Sequence, residues 1–161
     1  METFTNLKQI KCNNYTEYID TQYESIILDI YNGNGKNIVH NDSTIYNVLG
    51  NYHHEVTKNY PEMEKYYLMA IDLGNSNAMS NYADYHHMVT KNYLEMEKYY
   101  LMAINLGNDL AMHNYAHYHQ YITKNYIEME KYYLMAIDLG DSDAMTSYAD
   151  YHYNIKNYTE M

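Results

Sequence analysis

Apolar and aromatic residues recur along this chain at steps of three and four positions, the spacing that places side chains on one face of an α-helix. One such face consists of Met63, Tyr66, Tyr67, Ala70 and Ile71. It follows Asn59, a residue type that caps helices, with Glu62 three positions later as in a capping box. It ends before Gly74, where a left-handed C-terminal cap favours glycine. The pattern therefore predicts a helix between Asn59 and Gly74.

The same pattern is part of an internal repeat. The segment EMEKYYLMAI recurs every 33 residues, at 62–71, 95–104 and 128–137. Residues 59–91 and 92–124 are identical at 24 of 33 positions. The register divides the chain into three full units and a partial one, at about 45–77, 78–110, 111–143 and 144–161. A fixed period in this range is typical of helical repeat arrays.

Each unit also contains a first helix, which starts after a polar turn near Ala78, Ala111 or Ala144. In the second unit its apolar positions are Ala78, Tyr82, Ala83, Tyr85 and Val89. A single pair of helices cannot bury its own apolar faces, whereas stacked pairs can. The predicted fold is therefore all-α, a right-handed α-solenoid of antiparallel helix pairs with 33-residue repeats. The helical period, the short loops and the single proline all exclude a sheet in this interpretation.

The two ends of the chain depart from the register. Residues 1–36 are predicted to form a divergent N-terminal cap helix, from Tyr15 to Tyr31, and a linker, so that the repeat array occupies 37–161. At the other end no polar cap is visible, which would leave a surface of Met, Tyr and Ala open to water. Our hypothesis is that self-association or a partner covers this face, or that the array is truncated.

The charge balance bears on the partners. Ten lysines and no arginine stand against 21 acidic residues, a formal net charge of -11. Phosphate binding needs clustered cations and bidentate arginine, which argues against a nucleic-acid partner. The single cysteine, Cys12, allows no intrachain disulfide and fits a reducing compartment. No apolar stretch reaches the ~18 residues of a membrane span, so we expect a cytoplasmic protein without a membrane partner.

Paired small, aromatic and glycine positions recur within the units. They are Leu49-Gly50, Val89-Thr90-Lys91-Asn92-Tyr93, Tyr99-Tyr100, Ala103-Ile104 and Gly107. In this order they resemble the Sel-one-like repeat, a relative of the tetratricopeptide repeat, over about 43–161. Later units carry Tyr-Ala in place of Leu-Gly, and the family's Gly-x-Gly between the two helices is missing. The turn must then be tighter, so the superhelical pitch need not match that of the family.

The resemblance implies an α-solenoid that binds proteins, with the first helix of each repeat lining a concave side. Low-complexity arrays rich in Asn and Tyr, as this one is, are also similar to those encoded by giant DNA viruses of amoebae. For a viral protein the expected compartment would be the host cytoplasm.

Catalytic and metal-binding chemistry find little support. There is no nucleophile elbow, no HExxH segment and no pair of carboxylates at a recognisable cleft, so we expect no enzyme and no cofactor. His53, His86, His119 and His152 occupy one position of four successive units. Stacked helices lie roughly 8–10 Å apart, too far for neighbouring members to share a zinc ion, so packed or half-exposed imidazoles bonded to a neighbouring Tyr are expected. His113 and His117 could chelate a metal as an i, i+4 pair, with His86, His87 or His119 as a third ligand, but two histidines alone are a weak site and no metal is expected.

The tyrosines are the strongest candidates for contact with a partner, because Tyr offers rigid area with a polar tip. The predicted binding residues all lie on first helices: Asn81, Asp84, Tyr85, His87, Asn114, His117, Tyr118, Ser147 and Tyr151. Residues 125–157 carry a net charge of -4, which favours a partner with a basic segment. The expected function is a non-catalytic protein–protein interaction scaffold or adaptor that binds a peptide or partner domain. Alternatives are a self-assembling structural repeat element and, with less support, a metal-binding His cluster.

Overall fold

The computed structural model describes residues 11–12, 15–16 and 42–159, with side chains described for 42–154 in the helical part. Two short strands, β1 (Lys11–Cys12) and β2 (Tyr15–Thr16), pair antiparallel. The predicted helix is therefore wrong at its first two residues, whereas the exclusion of a sheet concerned the repeat units, which do not include this pair. Tyr and Thr favour extended backbone, and the intervening Asn13-Asn14 has turn preference. The rest of the predicted cap helix and the linker, 17–41, lie outside the described residues.

All other described elements are helical, which confirms the all-α class. The α-helices are α1 (Ser43–Tyr52), α2 (Tyr60–Asp72), α3 (Ser76–Tyr85), α4 (Tyr93–Asn105), α5 (Asp109–Tyr118), α6 (Tyr126–Asp138) and α7 (Ser142–Thr159). A five-residue π-helical turn follows each of the first three odd-numbered helices. These turns are π1 (His53–Thr57), π2 (His86–Thr90) and π3 (His119–Thr123). Each of the first three repeats therefore has a ten-residue first helix, a π-turn and a thirteen-residue second helix.

The predicted helix caps are confirmed. Each second helix begins after an asparagine whose side chain accepts a hydrogen bond from the backbone N–H three residues on, as Asn59 does from Glu62 at 3.4 Å. Two residues after the end of each of these helices stands a glycine in the left-handed region, with φ of +80° at Gly74, +76° at Gly107 and +91° at Gly140. These local signals repeat at the same spacing and define each second helix independently of its packing.

The chain divides into two compact units, residues 1–81 and 82–161. In the first unit α1 packs against α2, and Ile45, Leu49, Met63, Tyr67 and Ala70 are fully buried between them. Gly50 lies so close to the Tyr67 ring that a Cβ at this position would collide with it. The predicted core face of α2 is confirmed at Met63, Tyr67, Ala70 and Ile71, whereas Tyr66 is only half-buried.

In the second unit α4 packs against α5, α5 against α6, and α6 against α7. The buried positions of α4 and α6 are the repeats of those in α2, and they include Met96, Tyr100, Ala103, Met129, Tyr133 and Ala136. Val89, predicted on the apolar line of α3, is 43% exposed. That prediction is wrong because the helix changes to a π-turn at His86, which rotates Val89 out of the α-helical register.

Candidate interaction surface

A histidine and a threonine fix the corner between the first and second helix in each of the first three repeats. In the third repeat His119 Nδ1 lies 3.0 Å from Thr123 Oγ1, and the Thr123 hydroxyl donates to the His119 carbonyl at 3.3 Å. The same hydroxyl accepts a hydrogen bond from the N–H of Asn125 at 3.2 Å. Since its only proton goes to the carbonyl, the imidazole must donate from Nδ1. Lys124 then takes a left-handed conformation with φ of +57°, which reverses the chain into α6.

Three of the four equivalent histidines are buried or half-buried, as expected, whereas His152 is exposed. His53 and His119 stack on Tyr66 and Tyr132, with centroids 5.5 and 6.0 Å apart. Their Nδ1 atoms lie 3.0 Å from the hydroxyl oxygens of Thr57 and Thr123, respectively. Burial lowers the pKa of both imidazoles, which keeps them neutral at physiological pH.

The fourth copy of the corner differs. It reads His152-Tyr153-Asn154-Ile155-Lys156-Asn157, without the threonine that stands between Ile122 and Lys124 in the third copy. The backbone does not turn here, and α7 continues as one helix of 18 residues from Ser142 to Thr159. The missing hydroxyl would have satisfied a carbonyl and an N–H at the corner, so its absence favours the uninterrupted helix.

Four of the predicted binding residues are used in hydrogen bonds between helices. Asn114 Nδ2 donates to both carboxylate oxygens of Asp84, at 3.1 and 3.2 Å, and the Tyr100 hydroxyl donates to the same carboxylate. Burial raises the pKa of Asp84 to about 6, although both hydrogen bonds act to lower it. The first unit contains the same arrangement with an amide acceptor, in which Asn81 Nδ2 donates to Asn51 Oδ1 at 3.0 Å and the Tyr67 hydroxyl does so at 2.7 Å.

The third repeat uses different partners. Tyr133 donates to Gln120 at 2.7 Å, and His113 Nε2 lies 3.3 Å from the Ser147 hydroxyl. His117, which occupies the position of Asp84, is exposed and packs on Tyr121 with ring centroids 4.3 Å apart. His113 and His117 therefore have separate contacts. Within residues 42–154, no group of three His, Cys, Asp or Glu side chains could hold a metal ion.

The predicted aromatic residues lie beside aromatic residues that begin the second helices. His87 and Tyr93 both contact the Tyr118 ring, each at a centroid distance of 5.5 Å. The next repeat has the same contact between Tyr126 and Tyr151, also at 5.5 Å. Tyr85 stacks on Tyr82 at 6.1 Å, one turn away on the same helix. Half-buried rings on the first helices therefore lie next to more exposed rings at the corners.

Two corners of the second unit carry exposed apolar residues that are not among the predicted binding residues. We name these residues the corner surface: Met88, Val89, Tyr93, Leu94, Tyr121, Ile122, Tyr126 and Ile127. Leu94 and Ile127 are 77% and 80% exposed, and Met88 is 63% exposed. These residues could have been found at positions where the repeats differ in sequence. Glu55 and Pro61 of the first corner are replaced by Met, Tyr, Leu or Ile in the second and third corners.

The lysines at these corners differ in their ion pairs. Lys58, in the first corner, lies 3.6 Å from Glu55. The corresponding acidic residue is replaced by Met88 and Tyr121 in the later corners. Among the described residues, Lys91 and Lys124 have no ion-pair partner, and Lys124 lies 5.8 Å from the Tyr121 ring centroid. The corner surface therefore combines apolar area with two exposed cations.

Local contacts engage part of the acidic charge in 125–157. Glu128 pairs with Lys131 at 3.0 Å, as Glu62 and Glu95 do with the lysines three residues on. Glu130 accepts a hydrogen bond from Tyr148 at 2.6 Å. Asp138, Asp143 and Asp150 remain exposed. A preference for a basic segment stays a prediction and would depend on these three carboxylates.

Comparison with known proteins adds no identification, since no protein-family model, curated protein or solved structure matches the chain. Within the described part of the chain, no helix has both the length and the apolar character needed to cross a membrane.

Proposed function

We propose that this protein is a non-catalytic protein-binding scaffold, an α-solenoid of the Sel-one-like type, that binds a partner segment on the corner surface of its second unit. The partner is an apolar segment flanked by acidic residues. The predicted aromatic residues His87, Tyr118 and Tyr151 extend this surface along the first helices.

The observation that carries the proposal is the exposure of large apolar side chains at two successive corners. Isolated exposed apolar residues are ordinary, whereas a cluster of them indicates an interaction site. The cluster lies beside aromatic residues that are already held by ring contacts, as Tyr93 is by Tyr118. Such pre-ordered rings lose little conformational entropy when they bind a partner.

Charge supports an acidic flank on the partner. Lys91 and Lys124 occupy fixed left-handed positions, with φ of +57° at each, and lie between the apolar residues of their corners. An acidic group on the partner would replace the neutralisation that Glu55 provides for Lys58 in the first corner. Rim charges of this kind contribute to specificity and to the association rate more than to affinity.

Within this proposal, the hydrogen-bond networks assign a structural role to Asn81, Asp84 and Asn114. Their polar groups hold helices together, as Asn114 does on Asp84 at 3.1 and 3.2 Å. They would support the binding surface by positioning the first helices, and the aromatic residues would make the contacts.

The test is a selection of phage-displayed random peptides on the immobilised full chain. We expect enrichment of peptides that combine apolar and acidic residues. Their binding should be lost in the variant Leu94→Ser/Tyr121→Ser/Ile127→Ser, whose changes are all at exposed positions and should leave the fold intact.

The matched control is the variant Leu106→Ser/Leu134→Ser/Leu139→Ser, which removes three exposed apolar side chains elsewhere in the same unit. It should bind the selected peptides as the parent does. Equal binding by the corner variant, or no enrichment on the parent, would contradict the proposal. Thermal unfolding of both variants verifies that each is folded.

A further inference from the structure

The last helix exposes a face that is buried in the preceding repeat. Met112 of α5 is 4% exposed, whereas its equivalent in α7, Met145, is 45% exposed. Ala149 and His152 are likewise exposed, although their counterparts in α5 and π3 are buried. We name Met145, Ala149 and His152 the outer face of α7. The sequence is the same at all three positions in both repeats, so the difference lies in what covers them.

The third repeat shows what covers this face. Helix α6 packs against α5, and Tyr132 of α6 stacks on His119 at 6.0 Å. The neighbouring Tyr133 donates its hydroxyl to Gln120 at 2.7 Å. Met129 and Ala136, on the same face of α6, are fully buried. A second helix, with Met, Tyr, Tyr and Ala at positions i, i+3, i+4 and i+7, is therefore the partner that fits this surface.

The opposite side of α7 makes the same kind of contacts as the corresponding side of α5. The Tyr148 hydroxyl donates to Glu130 at 2.6 Å, as Tyr115 does to Glu97 at 2.8 Å. The Tyr148 ring lies 6.1 Å from that of Tyr133. Because α7 contacts α6 in the way that α5 contacts α4, the outer face of α7 has the orientation in which a second helix could pack against it.

We propose that the outer face of α7 binds, from another molecule, an amphipathic helix with the Met-x-x-Tyr-Tyr-x-x-Ala pattern of the second helices. Among the described residues no helix covers this face, and the third repeat supplies the template for its occupant. The site differs in residues from the corner surface. The corresponding face of α5 offers no competing site, because α6 occupies it within the same chain at high effective concentration.

The test uses a fluorescent synthetic peptide with the sequence of residues 125–140, titrated into the full chain and followed by fluorescence anisotropy. A free helix of this length is marginal in water, so the peptide should gain helical circular dichroism when it binds. We expect saturable one-to-one binding. The substitution Met145→Lys should weaken it by at least about tenfold, because a charge would be placed in the apolar contact.

Three controls isolate the outer face. Leu106→Lys places the same charge at another exposed position, 56% exposed in the parent, and should bind the peptide normally. A peptide with Tyr132 and Tyr133 changed to serine should not bind. The variant Leu94→Ser/Tyr121→Ser/Ile127→Ser should bind the parent peptide, which separates this site from the proposed function.

Three results would overturn the inference. The first is no saturable binding to the parent chain, and the second is equal binding to Met145→Lys. The third is dimerisation of the chain that Met145→Lys abolishes while the peptide fails to bind, detected by analytical ultracentrifugation. That last result would make a second copy of the chain the occupant of this face. Thermal unfolding verifies that Met145→Lys is folded, as expected for a half-exposed side chain.

Discussion

Asn114 places its Nδ2 atom 3.1 and 3.2 Å from the two carboxylate oxygens of Asp84, and this bond joins the first helices of successive repeats. One repeat earlier, Asn81 makes the corresponding bond to the amide oxygen of Asn51 at 3.0 Å. The acceptor is a carboxylate in one network and an amide in the other, and Asn81 also donates to Asn47 Oδ1 at 3.0 Å. The chain thus contains its own comparison for the effect of a buried charge.

The substitution Asp84→Asn is expected to stabilise the protein near pH 7.5 and to stabilise it less near pH 5. Burial raises the folded-state pKa of Asp84 to about 6 from an ordinary value of 3.8. The folded state therefore binds more protons between these values, and the contribution of Asp84 to stability is lost as pH rises through about 6. An asparagine would still accept from Tyr100 and Asn114, as Asn51 accepts from its partners. Urea unfolding at the two pH values measures the difference.

The reverse substitution, Asn51→Asp, is the matched control. It places a carboxylate in the equivalent network of the first unit and should lower stability more near pH 7.5 than near pH 5. A stabilising effect of Asp84→Asn that does not depend on pH would contradict the assignment of the pKa to this carboxyl group.

Replacing Thr123 by valine is expected to lower the free energy of unfolding by about 1–2 kcal/mol. Valine has nearly the same shape but cannot accept from His119 and Asn125 or donate to the His119 carbonyl. Chemical denaturation measures the loss, and Thr123→Ser, which keeps a hydroxyl, should retain most of the stability. Unchanged stability in Thr123→Val would show that these hydrogen bonds do not fix the corner.

Lys124→Gly is expected to raise the free energy of unfolding by about 0.5–1 kcal/mol. A left-handed conformation costs a residue with a Cβ about 1–2 kcal/mol, and glycine avoids this cost but loses more chain entropy on folding. Lys131→Gly, at a helical position of the same unit, should instead destabilise the protein by about 1 kcal/mol. Thermal and urea unfolding measure both changes, and destabilisation by Lys124→Gly would argue that the lysine side chain itself stabilises the corner.

The sequence predicted those parts of the fold that depend on local signals. Asn59 and Gly74 mark the ends of α2 because capping requires only neighbouring backbone groups. The corner was missed because a π-turn and a left-handed lysine have no strong sequence preference, and Val89 was consequently assigned to the buried face. The threonine at each corner was the available signal.

The candidate site was predicted less well, because the orientation of each polar side chain is set by the neighbouring repeat. Asp84 and Asn114 were predicted to face a partner, and they bond to one another. The helical period identifies a face of the helix but not which neighbour covers it. The corner surface could have been found from the change of Glu55 to Met88 and Tyr121 at the same repeat position.

Methionine methyl NMR on the full chain tests the central claim most directly. Met88 lies in the corner surface and Met145 on the outer face of α7, and both are exposed. Titration with a peptide selected on the parent chain should shift the Met88 methyl signal and leave that of Met145 unchanged. An unchanged Met88 signal at saturating peptide would contradict the proposal that the protein binds its partner on the corner surface.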